Sequence, residues 1–268
     1  MIILVIHATK IENPKKLNSE NQKNIRLFLN LLNLNAMSLM NYLIDLFFPP
    51  QCQACASILK DNEFQICVAC RHQLPVTNYH FQEDHPLQHL FFGRIYFVSS
   101  TSLFYFQKHS RVQKLLHNLK YKQQKSVGTT LGLWLGREMK ASKRFDKIDL
   151  VVPVPTHKKR LKKRGYNQVL PFASAIAKVF GVLCDDTILV KIKHTKTQVF
   201  QTKEERWKSV VNSFQLVKKD KIIGKHILLV DDLITTGATI EACSKVLLDA
   251  GSKHLSLATI AIASSVFR

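Results

Sequence analysis

The chain has 268 residues, 46% hydrophobic and 22% charged, proportions of a globular protein that can bury one good-sized domain plus a smaller module. Its 39 Lys and Arg against 19 Asp and Glu leave a formal charge of +20, which favours a polyanionic partner or substrate, good solubility being the plainer reading. Four of the six cysteines fall into two C-x-x-C pairs, which argues against a secreted disulfide framework and for a reducing, cytoplasmic setting.

Met1 to Ala8 is apolar but lacks a basic region before it and a small-residue cleavage site after it, so no secretory signal is expected. Residues 1 to 36 read as a poorly structured extension, because the Lys- and Asn-rich stretch from 10 to 24 offers little to build a core. Asn30, Asn33, Asn35 and Asn41 interrupt the apolar run from Ile25 to Phe48, so no membrane span is expected there. A helix from about Ser38 to Phe47 stops at Pro49 and Pro50.

Residues 37 to 90 form the next unit, a helix and a four-cysteine module. Cys52 and Cys55, eleven residues, then Cys67 and Cys70 make two knuckles suited to tetrahedral zinc with four thiolates. Four filled positions leave no site for water, so the metal is structural and supports a segment too short to bury much core alone. Redox-active pairs are the competing reading. Cys184 and Cys243 read as packing residues, and His72, His80, His85 and His89 lack ligand spacing.

Residues 91 to 268 carry strands alternating with helices, the pattern of an α/β domain with a mostly parallel sheet covered on both faces. Arg94 to Phe106 reads as strand, and Arg111 to Leu119 and Gly128 to Met139 read as helices. Leu150 to Val154 is a short strand, followed by a basic loop and a helix from about Asn167 to Phe180. A variable polar stretch leads to the strand Ile227 to Val230, the helix Gly237 to Ala250, and Leu255 to Ala263, which closes the sheet.

The chemistry concentrates in Ile227 to Thr239: an apolar strand, the acidic pair Asp231 and Asp232, then the turn Thr235-Thr236-Gly237-Ala238-Thr239 opening a helix. Helix N-terminal amides and threonine hydroxyls favour a phosphate, and Gly237 and Ala238 let it approach the backbone. Carboxylates at the strand's end are placed to accept hydrogen bonds from sugar hydroxyls. A capped helix after a strand end is the bland alternative, and no G-x-x-x-x-G-K-[ST] loop supports a nucleotide hydrolase. The combination resembles the phosphoribosyl-pyrophosphate (PRPP) signature of type I phosphoribosyltransferases.

The basic loop carries Lys158, Arg160, Lys162, Lys163 and Arg164, with Tyr166 beside them. It could neutralise pyrophosphate through guanidinium forks, or hold a nucleic-acid backbone with Tyr166 stacking on a base, or merely be solvated.

V-P-V-P followed by R-G-Y-N-Q, then Gln198, Arg206, Asn212 to Phe214 and V-D-D-L-I-T-T-G-A-T, together resemble the competence protein F (ComF, ComFC) family. Upstream, Leu119-Lys120-Tyr121 and the paired cysteines extend the match over about residues 38 to 263. The resemblance implies a phosphoribosyltransferase-like domain with an N-terminal zinc module and a role in DNA uptake during natural transformation. It implies PRPP with Mg2+, single-stranded DNA and other uptake proteins as partners. An active phosphoribosyltransferase, with Asp231 and Asp232 catalytic, is the alternative. Translation starting at Met37 is a further expectation.

Overall fold

The computed structural model describes residues 47–121, 124–192 and 213–267. From Gln51 onward the chain forms one compact unit. The helix expected over Ser38 to Phe47, and Gln198, Arg206 and Asn212, lie outside the described residues except for Phe47 itself.

Seven strands are described in chain order: β1 (Ser100–Phe106), β2 (Leu150–Pro153), β3 (Leu183–Cys184), β4 (Leu189–Lys191), β5 (Phe214–Leu216), β6 (His226–Ile234) and β7 (His254–Ala263). Five of them make one sheet in the spatial order β1-β7-β6-β2-β3, and every neighbouring pair is parallel. β4 and β5 form a separate antiparallel pair. The period of two within each strand divides the core. Val151, Leu228, Val230, Ala258 and Ile260 enter one hydrophobic cluster, while Val152, Ile227, Leu229, Leu255 and Leu257 enter the other.

Two features differ from the periodicity reading. Arg94 to Ser99 is not strand, because Gly93 turns the chain at φ +71° and Phe97 packs edge-on to Phe91 at 5.2 Å. Phe97, with Ile95 beside it, plugs the core from this segment, while Tyr96 is exposed. Leu255 to Ala263 lies inside the sheet, between β1 and β6, with β1 at the edge.

Among the described residues seven α-helices accompany the strands: α1 (Val68–Gln73), α2 (Pro86–Leu90), α3 (Arg111–Tyr121), α4 (Lys125–Ala141), α5 (Lys158–Arg164), α6 (Leu170–Phe180) and α7 (Ala238–Asp249). The first face of the sheet carries α3, α4 and α6, which share its cluster with Cys52, Cys67 and Cys70. The cysteine segment, including α1, therefore joins the core of the sheet. Asn118 of α3 donates to the Gln53 carbonyl at 3.1 Å, and Arg71 lies 4.9 Å from the Trp134 ring of α4. On the second face, α7 packs beneath α2 and its following loop, with Arg94 paired to Glu241 at 2.6 Å.

Helices α4 and α6 approach closely because Gly132 lacks a side chain. A Cβ there would strike the Phe172 carbonyl oxygen and lie 2.7 Å from Ala175 Cβ. We expect Gly132→Ala to cost about 1–3 kcal/mol by overpacking, which a thermal melt should register as a fall of several degrees. An unchanged melting temperature would mean that the two helices separate freely.

Candidate functional site

The sheet presents its carboxyl-terminal edge where β2 and β6 lie side by side, and a cleft of about 190 Å3 opens there. β6 runs on past the acidic pair to Ile234, further than the apolar segment alone suggests. Asp231 and Asp232 thus sit within hydrogen-bonded strand, and both are buried. Burial, reinforced by the neighbouring Asp232 carboxylate, pushes the Asp231 carboxyl well above the usual range.

Asp232 has a different environment. One oxygen pairs with Lys120 Nζ at 3.1 Å, and the other accepts from Gln168 Nε2 at 3.0 Å. Gln168 is positioned by Thr156, whose hydroxyl lies 3.2 Å from Gln168 Oε1 and 3.0 Å from Asn167 Oδ1. Asn167 in turn donates to the Val154 carbonyl at 3.2 Å. The string R-G-Y-N-Q is therefore a scaffold that folds back onto the end of β2 and supports the acidic residue from the side.

Beyond Ile234 the turn exposes Thr235 and Thr236, and Thr239 enters the cleft wall. Gly237 caps α7 in the left-handed region at φ +78°, and a Cβ there would approach the Phe91 ring to 2.9 Å. Both conformation and space require glycine at this position. The first amide bonded back to the cap is that of Glu241, to the Gly237 carbonyl at 2.9 Å, and the Ala238 amide faces only Thr236 Oγ1 at 3.5 Å. The start of the helix suits an anion.

The basic segment is a helix, not a loop: α5 is entered through a His157 cap and closed by Gly165 at φ +78°. Helical spacing divides its charges. Arg160 and Arg164, four apart, line the cleft, whereas Lys158, Lys162 and Lys163 are exposed and do not line it. Tyr166 is a correction to the base-stacking expectation. It is buried, its hydroxyl donates to the Leu119 carbonyl, and Lys125 covers its ring at 5.2 Å. It braces α3 and cannot meet a base.

Two further cations in the wall have no role that sequence reasoning assigns. Lys120 belongs to the Leu119-Lys120-Tyr121 string, which marks the resemblance without giving the lysine a task. Lys191 ends β4, beside its partner strand β5. Burial lowers the Lys191 pKa, and its ammonium lies 4.8 Å from the Phe214 ring. Nothing in its sequence surroundings marks it, since a lysine beside short apolar strands is ordinary. Together Lys120, Arg160, Arg164 and Lys191 place four cations around two carboxylates, an arrangement fit for a sugar phosphate or diphosphate.

The four cysteine sulfurs of Cys52, Cys55, Cys67 and Cys70 lie within 4.8 Å of one another. Cys67 N donates to Cys52 Sγ at 3.3 Å and Cys70 N to Cys67 Sγ at 3.4 Å, so backbone amides already orient the sulfurs. Four converging thiols make a set suited to structural zinc. Cys243 is buried on α7 and packs in the opposite face of the sheet.

Residues 167–265 match the phosphoribosyl transferase domain model, and residues 43–81 match the double zinc ribbon domain model. The chain is 30% identical to Competence protein F of Haemophilus influenzae over 145 residues, 53% of this chain and 63% of that protein. It is 28% identical to DNA utilization protein YhgH of Salmonella typhi, over 52% of this chain and 61% of that protein. With Competence protein ComFC of Bacillus subtilis it shares 29% identity over 40% of this chain and 41% of the relative. The chain thus spans less than two thirds of these relatives. The similarity to the competence protein F family, and the phosphoribosyltransferase-type parallel sheet with a four-cysteine module, are borne out.

Proposed function

We propose that this chain is a DNA-handling protein of natural transformation whose cleft binds PRPP or a related phosphoribosyl ligand while an adjoining basic surface holds single-stranded DNA. One observation carries the reading: the acidic pair, Thr239 and four cations from three separate elements converge on a single cleft. Asp231 and Asp232 take the ribose hydroxyls, and Thr235 to Thr239 take the 5′-phosphate. Arg160 and Arg164 face the diphosphate. The carboxylates are hard oxygen donors of the kind that hold Mg2+ jointly with substrate phosphates, so the residues fit magnesium PRPP. The cysteine quartet holds one structural zinc. Among the described residues no helix is long and apolar enough to cross a membrane, and a cytoplasmic location follows from the thiol chemistry.

Titration of the purified chain with magnesium PRPP and with single-stranded DNA, separately and together, tests this. Saturable binding of both supports it, and no binding of PRPP at millimolar concentration would overturn the cleft assignment. An active transferase is the second reading, favoured by a buried Asp231 beside the ribose position whose carboxyl is raised by burial and by Asp232. Release of pyrophosphate from PRPP in the presence of candidate bases would distinguish it.

The division of α5 gives a sharper expectation. Lys162→Gln with Lys163→Gln should weaken single-strand binding and reduce the slope of log affinity against log salt by about 0.7 for each phosphate no longer neutralised. Phosphate and PRPP affinities should not move. Arg160→Gln should do the reverse, weakening PRPP and sparing the strand. If the lysine pair leaves the salt slope unchanged, the strand lies elsewhere.

A further inference from the structure

A cleft built for a phosphoribosyl unit raises the question of what stands where the base of a nucleotide would emerge. The buried Tyr166 cannot serve. A second tyrosine, Tyr121, stands at the end of α3. Tyr121 is 57% exposed, and it follows directly the Lys120 that pairs with Asp232 in the cleft. Its ring lies 5.3 Å from the Arg164 guanidinium, itself part of the cleft wall, and 4.9 Å from the His117 ring at 39°. Arg164 therefore joins an exposed aromatic surface to the anion subsite.

The exposed face of α3 extends this arrangement. Lys114, His117 and Tyr121 recur at spacings of three and four, so they lie in one stripe along the helix that ends at the cleft mouth. A cation, an imidazole and a phenol in line make a surface on which a base can stack while its neighbours' phosphates meet positive charge. The exposed ring contacts a guanidinium and an imidazole. The ring does not enter either hydrophobic cluster.

We infer that Tyr121 is a base-stacking residue, and that the cleft takes a nucleotide through its 5′-phosphate with the base on the Tyr121 ring. This rests on the phosphoribosyl reading of the cleft and names the ligand class it accepts. The shared chemistry is a 5′-phosphorylated nucleoside, whose source is either a free nucleoside monophosphate or the 5′-phosphorylated end of a single strand.

The test compares ribose 5-phosphate, adenosine 5′-monophosphate, a 5′-phosphorylated oligodeoxynucleotide and the same oligonucleotide with a 5′-hydroxyl, by calorimetry on the full chain. The base should improve affinity about tenfold over ribose 5-phosphate, the size of one stacking interaction. Tyr121→Ala should abolish that advantage and leave ribose 5-phosphate unchanged, while Tyr121→Phe keeps it. Preference for the phosphorylated oligonucleotide over its hydroxyl form assigns the strand end as the source, and preference for the monophosphate alone assigns a free nucleotide. Equal binding of adenosine monophosphate and ribose 5-phosphate to the native chain, or an unchanged ratio in Tyr121→Ala, would overturn the inference while leaving the cleft reading intact. Failure of ribose 5-phosphate itself to bind would instead remove the cleft reading.

Discussion

Cys67→Ser should release the zinc and lower the melting temperature of the whole compact unit, not of a detachable module. Taken from sequence, the cysteine segment is a small appendage whose loss the sheet could survive. The structure argues otherwise, because Cys52, Cys67 and Cys70 are buried in the same cluster as Phe104, Leu115 and Leu131. Val76 bridges to Phe104 of β1, and Arg111 of α3 bonds to Gln73 of α1. Loosening the sulfurs therefore opens a face of the main core to water.

The magnitude follows from the metal. Structural zinc contributes roughly 10–16 kcal/mol of apparent binding free energy, against a typical domain stability of about 5–15 kcal/mol. Even a fraction of that loss should lower the melting temperature by roughly 10 °C or more at about 2–4 °C per kcal/mol. Cys67 is doubly placed: its backbone amide donates to Cys52 Sγ, and its sulfur accepts from the Cys70 amide at the start of α1. Elemental analysis of a reducing, metal-replete preparation should find one zinc per chain. No zinc, or a metal-free protein melting at the native temperature, would defeat the assignment.

What the sequence made legible was what is local. Asp231 through Thr239 is one uninterrupted strand, acid pair, turn and helix start, so the string itself contains the geometry, and Gly237 marks the left-handed turn. The cysteine spacing is legible for the same reason. Lys120 and Lys191 were not, because each reaches the cleft from an element far along the chain and looks ordinary in its own surroundings. Tyr166 failed differently: the rotation of the chain at Gly165, φ +78°, decides which side of α3 it meets, and composition is silent on that. The division of the basic run into Arg160 and Arg164 against the lysines follows from four-residue spacing once the segment is helix rather than loop. Arg94 to Ser99 misled because aromatic residues that plug a core from a loop look the same as those in a strand.

The acidic pair should separate binding from stability. Asp231 is buried with its carboxyl raised to about 7, first by burial and then by Asp232. A carboxyl near 3.9 in the unfolded chain and higher in the folded one favours folding fully at low pH, and that contribution is lost as pH rises through the folded value. Asp231→Asn lacks this titration. Its melting temperature relative to the native chain should therefore rise from about pH 4 to pH 7 and level off above, leaving the variant the more stable protein at neutral pH. Asp232→Asn should instead lower the melting temperature, since it leaves Lys120 without the carboxylate 3.1 Å away. Both variants should lose PRPP affinity by about 10- to 100-fold, the worth of a charge-assisted hydrogen bond of ~1.5–3 kcal/mol. Inorganic phosphate should still bind, because Thr239 and the amides opening α7 are untouched. Calorimetry with PRPP and phosphate, beside melts across that pH range, reads all of this. Undiminished PRPP affinity in both variants would mean that the strand end and its turn are a capped helix and no ribose site.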